Sequence, residues 1–336
     1  MCSLKTASIL IVLLLSFVRP DKVQRQYSIY GYAQGTSYTV KYFATDSVVT
    51  KKALDSLLLQ IDSSMSLYKP FSQINAFNSC SKEMKIDTHF ARVMQKSFEV
   101  YKATDGLFDV TVKPLVQAWG FGSERIKSLP DSARITELLK CTGMAGLKLK
   151  GDLLQKRSPC LQVDLNGIAQ GYSVDVVADH LAKKGVRSYV VEIGGELRIN
   201  GTKPDGTMYK IGVEGPGQGE NAEPILKHTV SFNNGAITTS GNYQKYIQQG
   251  KKRISHLIDP KTGYPLDTEM ISVTVYAKDA ITADGYDNAL MAMTVKQAIK
   301  FVDQRKGMEA YMVYRRADGS VADTLTAGFK KLIVTQ

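Results

Sequence analysis

The chain has 336 residues, of which 43% are hydrophobic and 22% are charged. This composition is typical of a globular protein that buries a sizeable core, and it excludes an extensively disordered chain. The net charge of +11 favours anionic ligands, but the basic residues are scattered and no nucleic-acid-binding module is visible, so nucleic acid is not an expected partner.

Residues 1–25 are predicted to be a leader segment rather than part of the fold. An apolar run from Ala7 to Val18 follows Lys5 and ends at Arg19 and Pro20. The run is shorter than the roughly 20 residues that a membrane-spanning helix needs, and it matches a secretory signal. The alternative is an uncleaved segment that tethers the chain to the inner membrane. We therefore expect an exported protein.

Three cysteines follow the leader, namely Cys80, Cys141 and Cys160. Three thiols cannot all pair with one another, and their spacing matches no metal-binding motif. One disulfide could form in an oxidising compartment, but we expect buried free thiols.

The first half of the remaining chain predicts a hairpin followed by helices. Residues alternate as in a strand or hairpin from Tyr27 to Tyr42. Apolar residues at helical spacing predict helices from Val48 to Met65 and from His89 to Thr104. A further helix is expected from Asp164 to about Lys184, and Asp164 is either its N-cap or a ligand contact.

Strands and helices mix in the second half without the regular alternation of a doubly wound sheet. The predicted features are a strand Ser188–Ile193 with a tight turn at Gly194-Gly195, a glycine-rich loop from Glu214 to Glu220, a turn between strands at Asn234-Gly235, a strand through Ile271, Val273 and Val275, and a helix from Thr282 to Met293. The prediction is an α+β fold over residues 26–336, with mixed, largely antiparallel sheets, packed helices and two interleaved lobes.

The last predicted helix carries oxygen-bearing side chains on one face. Asp284, Asp287 and Asn288 lie at positions i, i+3 and i+4. Carboxylate and amide oxygens are hard donors of the kind that Mg²⁺ prefers. The alternative is a solvated acidic helix end. The small residues Ala283 and Gly285 would let another element approach closely.

Two other segments contain chemically useful groups. His256 can accept a proton near neutral pH, although a structural histidine that binds a turn is the alternative. The turn itself follows at Asp259-Pro260 and Gly263. Residues 238–241 (Thr-Thr-Ser-Gly) are predicted to form a loop whose hydroxyl and amide groups could contact phosphate.

Seven blocks in chain order resemble one known family, the FAD:protein FMN transferases, formerly called thiamine-biosynthesis lipoproteins. Each block is modest, but the series is specific. The blocks are Met65–Asn78, Thr104–Gly122, Val163–Asp175, Val191–Glu196, Thr239–Tyr243, Ser255–Pro260 and Thr282–Asn288.

The resemblance implies an enzyme that cleaves the pyrophosphate of FAD and transfers FMN to a threonine or serine of an acceptor protein, with release of AMP. The implied acceptor is a flavin-carrying subunit of a redox-driven membrane pump or an exported reductase. The implied catalytic residues are His256, as the base that activates the acceptor hydroxyl, and Asp284.

The resemblance also implies the binding residues by position. The implied Mg²⁺ ligands are the main-chain carbonyl of Gly167 with Asp284, Asp287 and Asn288. The implied FAD contacts are Gln34, Tyr68, Leu107, Phe108, Asp109, Asp164, Gln170 and Ile258. Two residues depart from the family pattern, since Asn288 replaces the usual threonine and Gln170 a common lysine or glutamate.

Two other functions are compatible with the sequence. Water in place of the acceptor hydroxyl would give an FAD pyrophosphatase that releases FMN and AMP. A non-catalytic exported flavin-binding protein is the second alternative.

Overall fold

The computed structural model describes residues 23–217, 223–243, 246–249 and 252–334. Nearly all of the predicted leader and residues 218–220 of the predicted glycine-rich loop lie outside these ranges. The first strand begins at Arg25, the last residue of the predicted leader. Within the described ranges, every helix is too short or too polar to cross a bilayer.

The described residues form fifteen strands and nine α-helices. The strands are β1 (Arg25–Ala33), β2 (Thr36–Ala44), β3 (Glu83–Lys85), β4 (Leu147–Lys150), β5 (Leu153–Lys156), β6 (Ser188–Ile193), β7 (Glu196–Asn200), β8 (Tyr209–Gly215), β9 (Ile225–Phe232), β10 (Asn234–Gly241), β11 (Tyr246–Gln249), β12 (Lys252–Ser255), β13 (Met270–Ala277), β14 (Glu309–Arg315) and β15 (Val321–Leu325). The helices are α1 (Lys51–Met65), α2 (Gln73–Ser79), α3 (Thr88–Ala103), α4 (Lys113–Ala118), α5 (Ser132–Leu139), α6 (Ala169–Lys183), α7 (Ala280–Leu290), α8 (Val295–Asp303) and α9 (Ala327–Leu332).

One eight-stranded sheet forms the centre of the fold, in the order β1-β2-β6-β7-β10-β13-β14-β15. Every strand pairing in the described part of the chain is antiparallel, including those of the small sheets β3-β5-β4, β8-β9 and β11-β12. Helices and strands are not in βαβ alternation. The predicted α+β class with largely antiparallel sheets and packed helices is confirmed.

The central sheet is covered on both faces. Alternate residues of a strand point to opposite faces of a sheet. On one face, Ala236 of β10 lies in the main hydrophobic cluster with α1, α3, α6 and α7. On the other face, Ile237 lies in a second cluster with β8, β9 and α9. A third, smaller cluster joins α4 and α5 to Ile254 and Ile258. The three clusters place α6 and α7 side by side on one face of the sheet.

The predicted helices begin where short polar side chains can cap them. Thr50 accepts a hydrogen bond from the Ala53 amide at the start of α1, and Asp87 accepts one from the Phe90 amide at the start of α3. Asp279 caps α7 in the same way. These predicted helices are therefore confirmed, with their ends shifted by a few residues.

The turn predicted at Asn234-Gly235 is wrong. Asn234 is the first residue of β10, which pairs with β7 and β13 rather than with the preceding strand β9. Gly235 lies within the strand at a φ of 128°, and a Cβ there would lie 2.6 Å from the Tyr276 ring. Glycine is needed because an aromatic side chain covers the strand, not because the chain reverses.

The expectation of free thiols is wrong for two of the three cysteines. Cys141 and Cys160 form a disulfide with a Cα–Cα distance of 5.3 Å, whereas Cys80 is free and half-buried. Cys141 follows α5 and Cys160 follows β5, so the fold brings together two segments whose pairing cannot be deduced from spacing.

Candidate functional site

The oxygen-bearing face of α7 is buried against α6 and β10. Asp284 is 4% exposed and Asp287 is 2% exposed, which excludes the solvated acidic helix end. The two helices approach closely because Gly171 of α6 has no side chain: a Cβ there would collide with the main-chain oxygen of Ala280. The predicted cation ligands Gly167, Asp284, Asp287 and Asn288, which we call the α7 cluster, therefore lie between three elements.

The Asp284 carboxylate is held by the main chain of α6. Its Oδ2 accepts a hydrogen bond of 2.8 Å from the amide of Gly171. Burial raises the pKa of Asp284 to about 7, and the nearby charge of Asp175 adds to this effect, while the Gly171 amide opposes it. A buried carboxylate of this kind gains from a positive partner.

The Asp287 carboxylate is held by β10 and by its neighbour in the helix. Its Oδ2 accepts a hydrogen bond of 2.6 Å from the hydroxyl of Thr238, and its Oδ1 accepts one of 3.0 Å from the Asn288 amide. Burial, and then the charge of Asp284, raise the pKa of Asp287 well above its usual range. The two acids thus share one poorly solvated space.

Asn288 lies at the point where these oxygens converge. Its Nδ2 is 3.3 Å from the carbonyl oxygen of Gly167 and 3.1 Å from that of Asp284, and its Oδ1 accepts a hydrogen bond of 3.2 Å from Ser240. Carbonyl and carboxylate oxygens can only accept hydrogen bonds, so the NH₂ group must face them. The amide oxygen would bind a cation only after the amide turns.

The donor chemistry of the α7 cluster fits a hard cation. Its oxygens come from two carboxylates, one amide and one main-chain carbonyl, the donor types that Mg²⁺ accepts together with water and phosphate. Among the residues that the structure describes, no three His, Cys, Asp or Glu side chains come together as a metal-binding group. A cation here would therefore depend on the carbonyl of Gly167 and the amide of Asn288.

Residues 238–241 form the end of β10 rather than a phosphate-binding loop, so the loop prediction is wrong. The hydroxyls of Thr238 and Ser240 point to α7, and that of Thr239 lies 2.9 Å from the hydroxyl of Thr274 on the neighbouring strand. The pattern of threonine, serine and glycine is typical of a loop, but pairing of these residues with β13 decides the outcome.

Asp164 does not cap α6. That helix begins at Ala169 after Ile168, which makes no capping hydrogen bond, and Asp164 instead accepts one of 2.8 Å from the amide of Asn166. Its own amide donates to the carbonyl of Val110 at 2.7 Å. A ligand contact therefore stays the prediction for Asp164, whose pKa is raised by burial.

The segment before Val110 contains three of the predicted FAD contacts. Asp109 is buried, and its carboxylate accepts hydrogen bonds from the Thr111 amide at 2.7 Å and the Met144 amide at 3.0 Å. Burial raises the pKa of Asp109 although these bonds oppose it. Phe108 is buried and Leu107 half-buried in the main cluster.

Two other predicted FAD contacts differ sharply in exposure. Tyr68 is 64% exposed, and partial burial, followed by the charge of Asp164, raises the pKa of Tyr68. Ile258 is buried in the third cluster. We expect Phe108 and Ile258 to contact a ligand mainly through main-chain atoms.

The remaining two predicted FAD contacts lie near the start of α6. Gln34 is in the β1–β2 turn with a φ of 54°, and its Nε2 donates to the hydroxyl of Ser173 at 2.8 Å. Gln170 donates to the carbonyl of Ile193 at 3.1 Å and fills the space beside Gly194, where a Cβ would collide with it. Residues 164–170 thus include predicted FAD contacts at both ends, Asp164 and Gln170, and the predicted cation ligand Gly167 between them.

His256 lies on another element, at the start of a hairpin formed by residues 255–266. Its ring is half-buried and meets the edge of Phe121, with 6.2 Å between ring centroids. The turn is shaped by Asp259, whose carboxylate accepts hydrogen bonds from the Lys261 amide at 2.8 Å and the Thr262 hydroxyl at 3.0 Å. The turn prediction is confirmed, and the role of His256 as a base stays a prediction.

The sequence analysis missed Asp175. This buried carboxylate accepts hydrogen bonds from the amides of Ala280 at 3.0 Å and Ile281 at 2.9 Å, at the start of α7, and from Arg198 at 2.9 Å. Burial raises the pKa of Asp175 to about 6. Its position one helical turn after Gly171 was the available signal, because both residues then face α7.

The fold and the buried oxygen cluster define a protein with the architecture of the flavin transferases. The structure superposes on the flavin transferase ApbE from Vibrio cholerae with a TM-score of 0.82 and 33% identity, covering 92% of this chain and 100% of that one. It also superposes on the apo flavinyl transferase ApbE from Pseudomonas stutzeri with a TM-score of 0.82 and 32% identity, covering 94% and 99% of the two chains.

Sequence comparison gives the same family. A model of the ApbE family matches residues 34–312, and the chain belongs to that family. It is 35% identical over 306 residues to the FAD:protein FMN transferase of Vibrio cholerae, covering 89% of this chain and 90% of the relative. It is 33% identical over 341 residues to the enzyme of that name from Haemophilus influenzae, covering 98% and 97%. The predicted resemblance is confirmed.

Proposed function

We propose that this protein transfers FMN from FAD to a threonine or serine hydroxyl of an acceptor protein and releases AMP. The observation that supports this most is the α7 cluster, in which two buried carboxylates converge with the Gly167 carbonyl and the Asn288 amide. Relatives that share a third of the sequence over nearly the whole chain are named for this reaction.

The α7 cluster would hold the metal through Gly167, Asp284, Asp287 and Asn288. When bound, Mg²⁺ would neutralise the charge that develops on the pyrophosphate oxygens of FAD. The chain itself fixes the positions of the carboxylate oxygens that would bind the metal: α6 holds Asp284, and β10 holds Asp287. Both acids are buried, so little water competes for them.

Residues around the segment 164–170 would bind FAD. The exposed ring of Tyr68 offers an apolar face next to Asp164, which suits stacking on a flat ring system of the substrate. Gln34 is hydrogen-bonded to Ser173 of α6 and Gln170 to the Ile193 carbonyl of β6, so their positions are fixed before a ligand arrives. A site that is already formed loses less conformational entropy on binding.

His256 would accept the proton of the acceptor hydroxyl as that oxygen attacks the phosphorus bonded to the FMN side of the pyrophosphate. An alcohol is a weak nucleophile at neutral pH, and a well-placed base typically contributes about 10²–10⁴-fold. The Asp259 carboxylate is engaged in the turn, and these hydrogen bonds help to fix the backbone next to His256.

We also propose that the protein is exported to the periplasm or cell envelope, with inner-membrane tethering through the leader as an alternative to release. The Cys141–Cys160 disulfide supports this location, because such bonds persist in oxidising compartments. The proposed acceptor is a flavin-carrying subunit of a redox-driven membrane pump or an exported reductase.

The test is to incubate the purified protein with FAD, MgCl₂ and a candidate exported flavoprotein subunit, with and without EDTA. Flavin fluorescence on the acceptor in a denaturing gel, and a mass increase of one FMN, are the expected results and should disappear with EDTA. Free FMN and AMP without labelled acceptor would indicate an FAD pyrophosphatase instead. FAD that stays intact with a competent acceptor would indicate a flavin-binding protein without catalysis.

A further inference from the structure

Two adjacent threonines of β10 face opposite sides of the sheet. Thr238 is 1% exposed and its hydroxyl donates to Asp287 Oδ2 at 2.6 Å. Thr239 faces away, and its hydroxyl lies 2.9 Å from that of Thr274. Ser240, two residues after Thr238, again faces α7 and donates to Asn288 Oδ1. The strand thus presents a pair of hydroxyls to the α7 cluster.

The hydrogen bond from Thr238 determines which oxygen of Asp287 is available. An aspartate carboxylate on a helix can rotate, and either oxygen can face the cluster. Here Oδ2 is occupied by the hydroxyl, and Oδ1 is turned towards the Asn288 amide and so towards the point where the oxygens converge. Threonine is β-branched and stiff at χ1, so the donor is itself held in one direction.

Water cannot easily replace this hydroxyl. Both Thr238 and Asp287 are almost fully buried, and the hydroxyl reaches the carboxylate across the contact between β10 and α7. A buried carboxylate oxygen that loses its donor is left without compensation for desolvation. Removing the donor should therefore change the orientation of the carboxylate and not only the strength of one hydrogen bond.

We propose that Thr238 is a positioning residue of the cation site: its hydroxyl fixes Asp287 so that Oδ1 faces the bound metal. This inference rests on the proposed function, since it concerns the metal that the α7 cluster would hold. It goes further in assigning a role in metal affinity to a residue that would not itself touch the metal. Outer partners of this kind typically change metal affinity by about 10–100-fold.

The experiment measures binding of Mn²⁺ to the full-length protein by electron paramagnetic resonance, and of Mg²⁺ by calorimetry. Thr238→Val keeps the shape and removes the donor, Thr238→Ser keeps the donor, and Thr239→Val is the matched control on the other face. We expect Thr238→Val to weaken Mn²⁺ binding about 10–100-fold. Thr238→Ser and Thr239→Val should stay near the wild-type affinity.

The outcomes separate this inference from the proposed function. If the wild-type protein binds neither Mn²⁺ nor Mg²⁺, the metal site fails and the inference fails with it. If the wild type binds and Thr238→Val binds equally well, only the inference is overturned, even if the variant melts at a lower temperature. Should Thr238→Val not fold, Thr238→Ala compared with Thr238→Ser gives the same test, with circular dichroism as the check on folding.

Discussion

The α7 cluster and the hairpin of His256 represent two ways to hold a functional side chain. In the cluster, each carboxylate is buried and bonded to a different neighbouring element, α6 for Asp284 and β10 for Asp287. In the hairpin, the hydrogen bonds of the Asp259 carboxylate stay within the turn, and Trp119 donates to the turn from a distant part of the chain. The α7 cluster belongs to the main core, whereas the hairpin packs against both the main core and the small third cluster.

Because of this difference, we expect substitutions in the two regions to have different effects on folding stability and on the reaction. Substitutions in the α7 cluster should affect folding stability, upwards or downwards, as well as metal binding, because the same buried groups and hydrogen bonds serve both. Substitution of His256 should change the reaction with little effect on the fold, because its half-buried ring packs at the margin of the core. The predictions below test this distinction, from the largest expected effect to the smallest.

Asp284→Asn should abolish metal-dependent transfer and weaken Mn²⁺ binding by more than about 100-fold, the upper range for an outer partner, because it removes a direct ligand. Without metal, the variant should be at least as stable as the wild type, since a buried carboxylate becomes a neutral amide. Metal titration and thermal unfolding check the two effects. Asp267→Asn, an exposed carboxylate, is the control. Unchanged metal affinity of Asp284→Asn would contradict the site.

His256→Ala should slow transfer by about 10²–10⁴-fold, because the acceptor hydroxyl loses its base. FAD affinity should change little, and the melting temperature should stay close to that of the wild type. Single-turnover labelling of the acceptor and fluorescence titration of FAD measure the two quantities, and added imidazole should restore part of the rate. A collapse of FAD binding would show instead that the histidine is structural.

The Cys141–Cys160 disulfide should support the FAD site as well as the fold. It joins the loop whose Met144 amide holds Asp109 to the segment that leads to Asp164. Replacing both cysteines by serine should lower the free energy of unfolding by about 3 kcal/mol and weaken FAD binding. Urea unfolding and FAD titration measure these effects. Cys80→Ser is the control, and full FAD affinity in the double variant would limit the disulfide to stability.

Metal affinity should fall as the pH falls. Burial raises the pKa of Asp284 to about 7, so below this pH the carboxyl group is protonated in the metal-free protein, and a cation must displace the proton. The dissociation constant of Mn²⁺ should therefore rise by about fivefold between pH 7 and pH 6, and by about tenfold between pH 8 and pH 6, for one displaced proton. Titrations at pH 6, 7 and 8 test this. Equal affinities at pH 6 and pH 8 would be inconsistent with a buried carboxyl ligand.

The sequence predicted what local spacing determines. The face of α7 with Asp284, Asp287 and Asn288 follows from helical periodicity, and the β1–β2 hairpin follows from alternation. The turn at Asp259 was also predictable, because its hydrogen bonds lie within the same few residues. None of these features depends on a distant partner.

The features that sequence analysis missed depend on distant partners. Asp175 has its role because it reaches the first amides of α7, 105 residues away in the chain. Gly235 is needed because of the ring of Tyr276, and Thr238 faces α7 because β10 pairs with β13 at this position. The pairing of Cys141 with Cys160 likewise follows from the fold and not from spacing.

If the α7 cluster holds the metal as proposed, it also determines when the protein can first bind that metal. The bond from Gly171 to Asp284 spans 113 residues, and that from Asn288 to Gly167 spans 121. Contacts so far apart in sequence form late in folding, after most of the chain has become compact. A nascent chain that ends before α7 lacks the helix ligands altogether. A chain translocated unfolded would therefore take up its cation at its destination, where the local supply of Mg²⁺ and not that of the cytoplasm would load it.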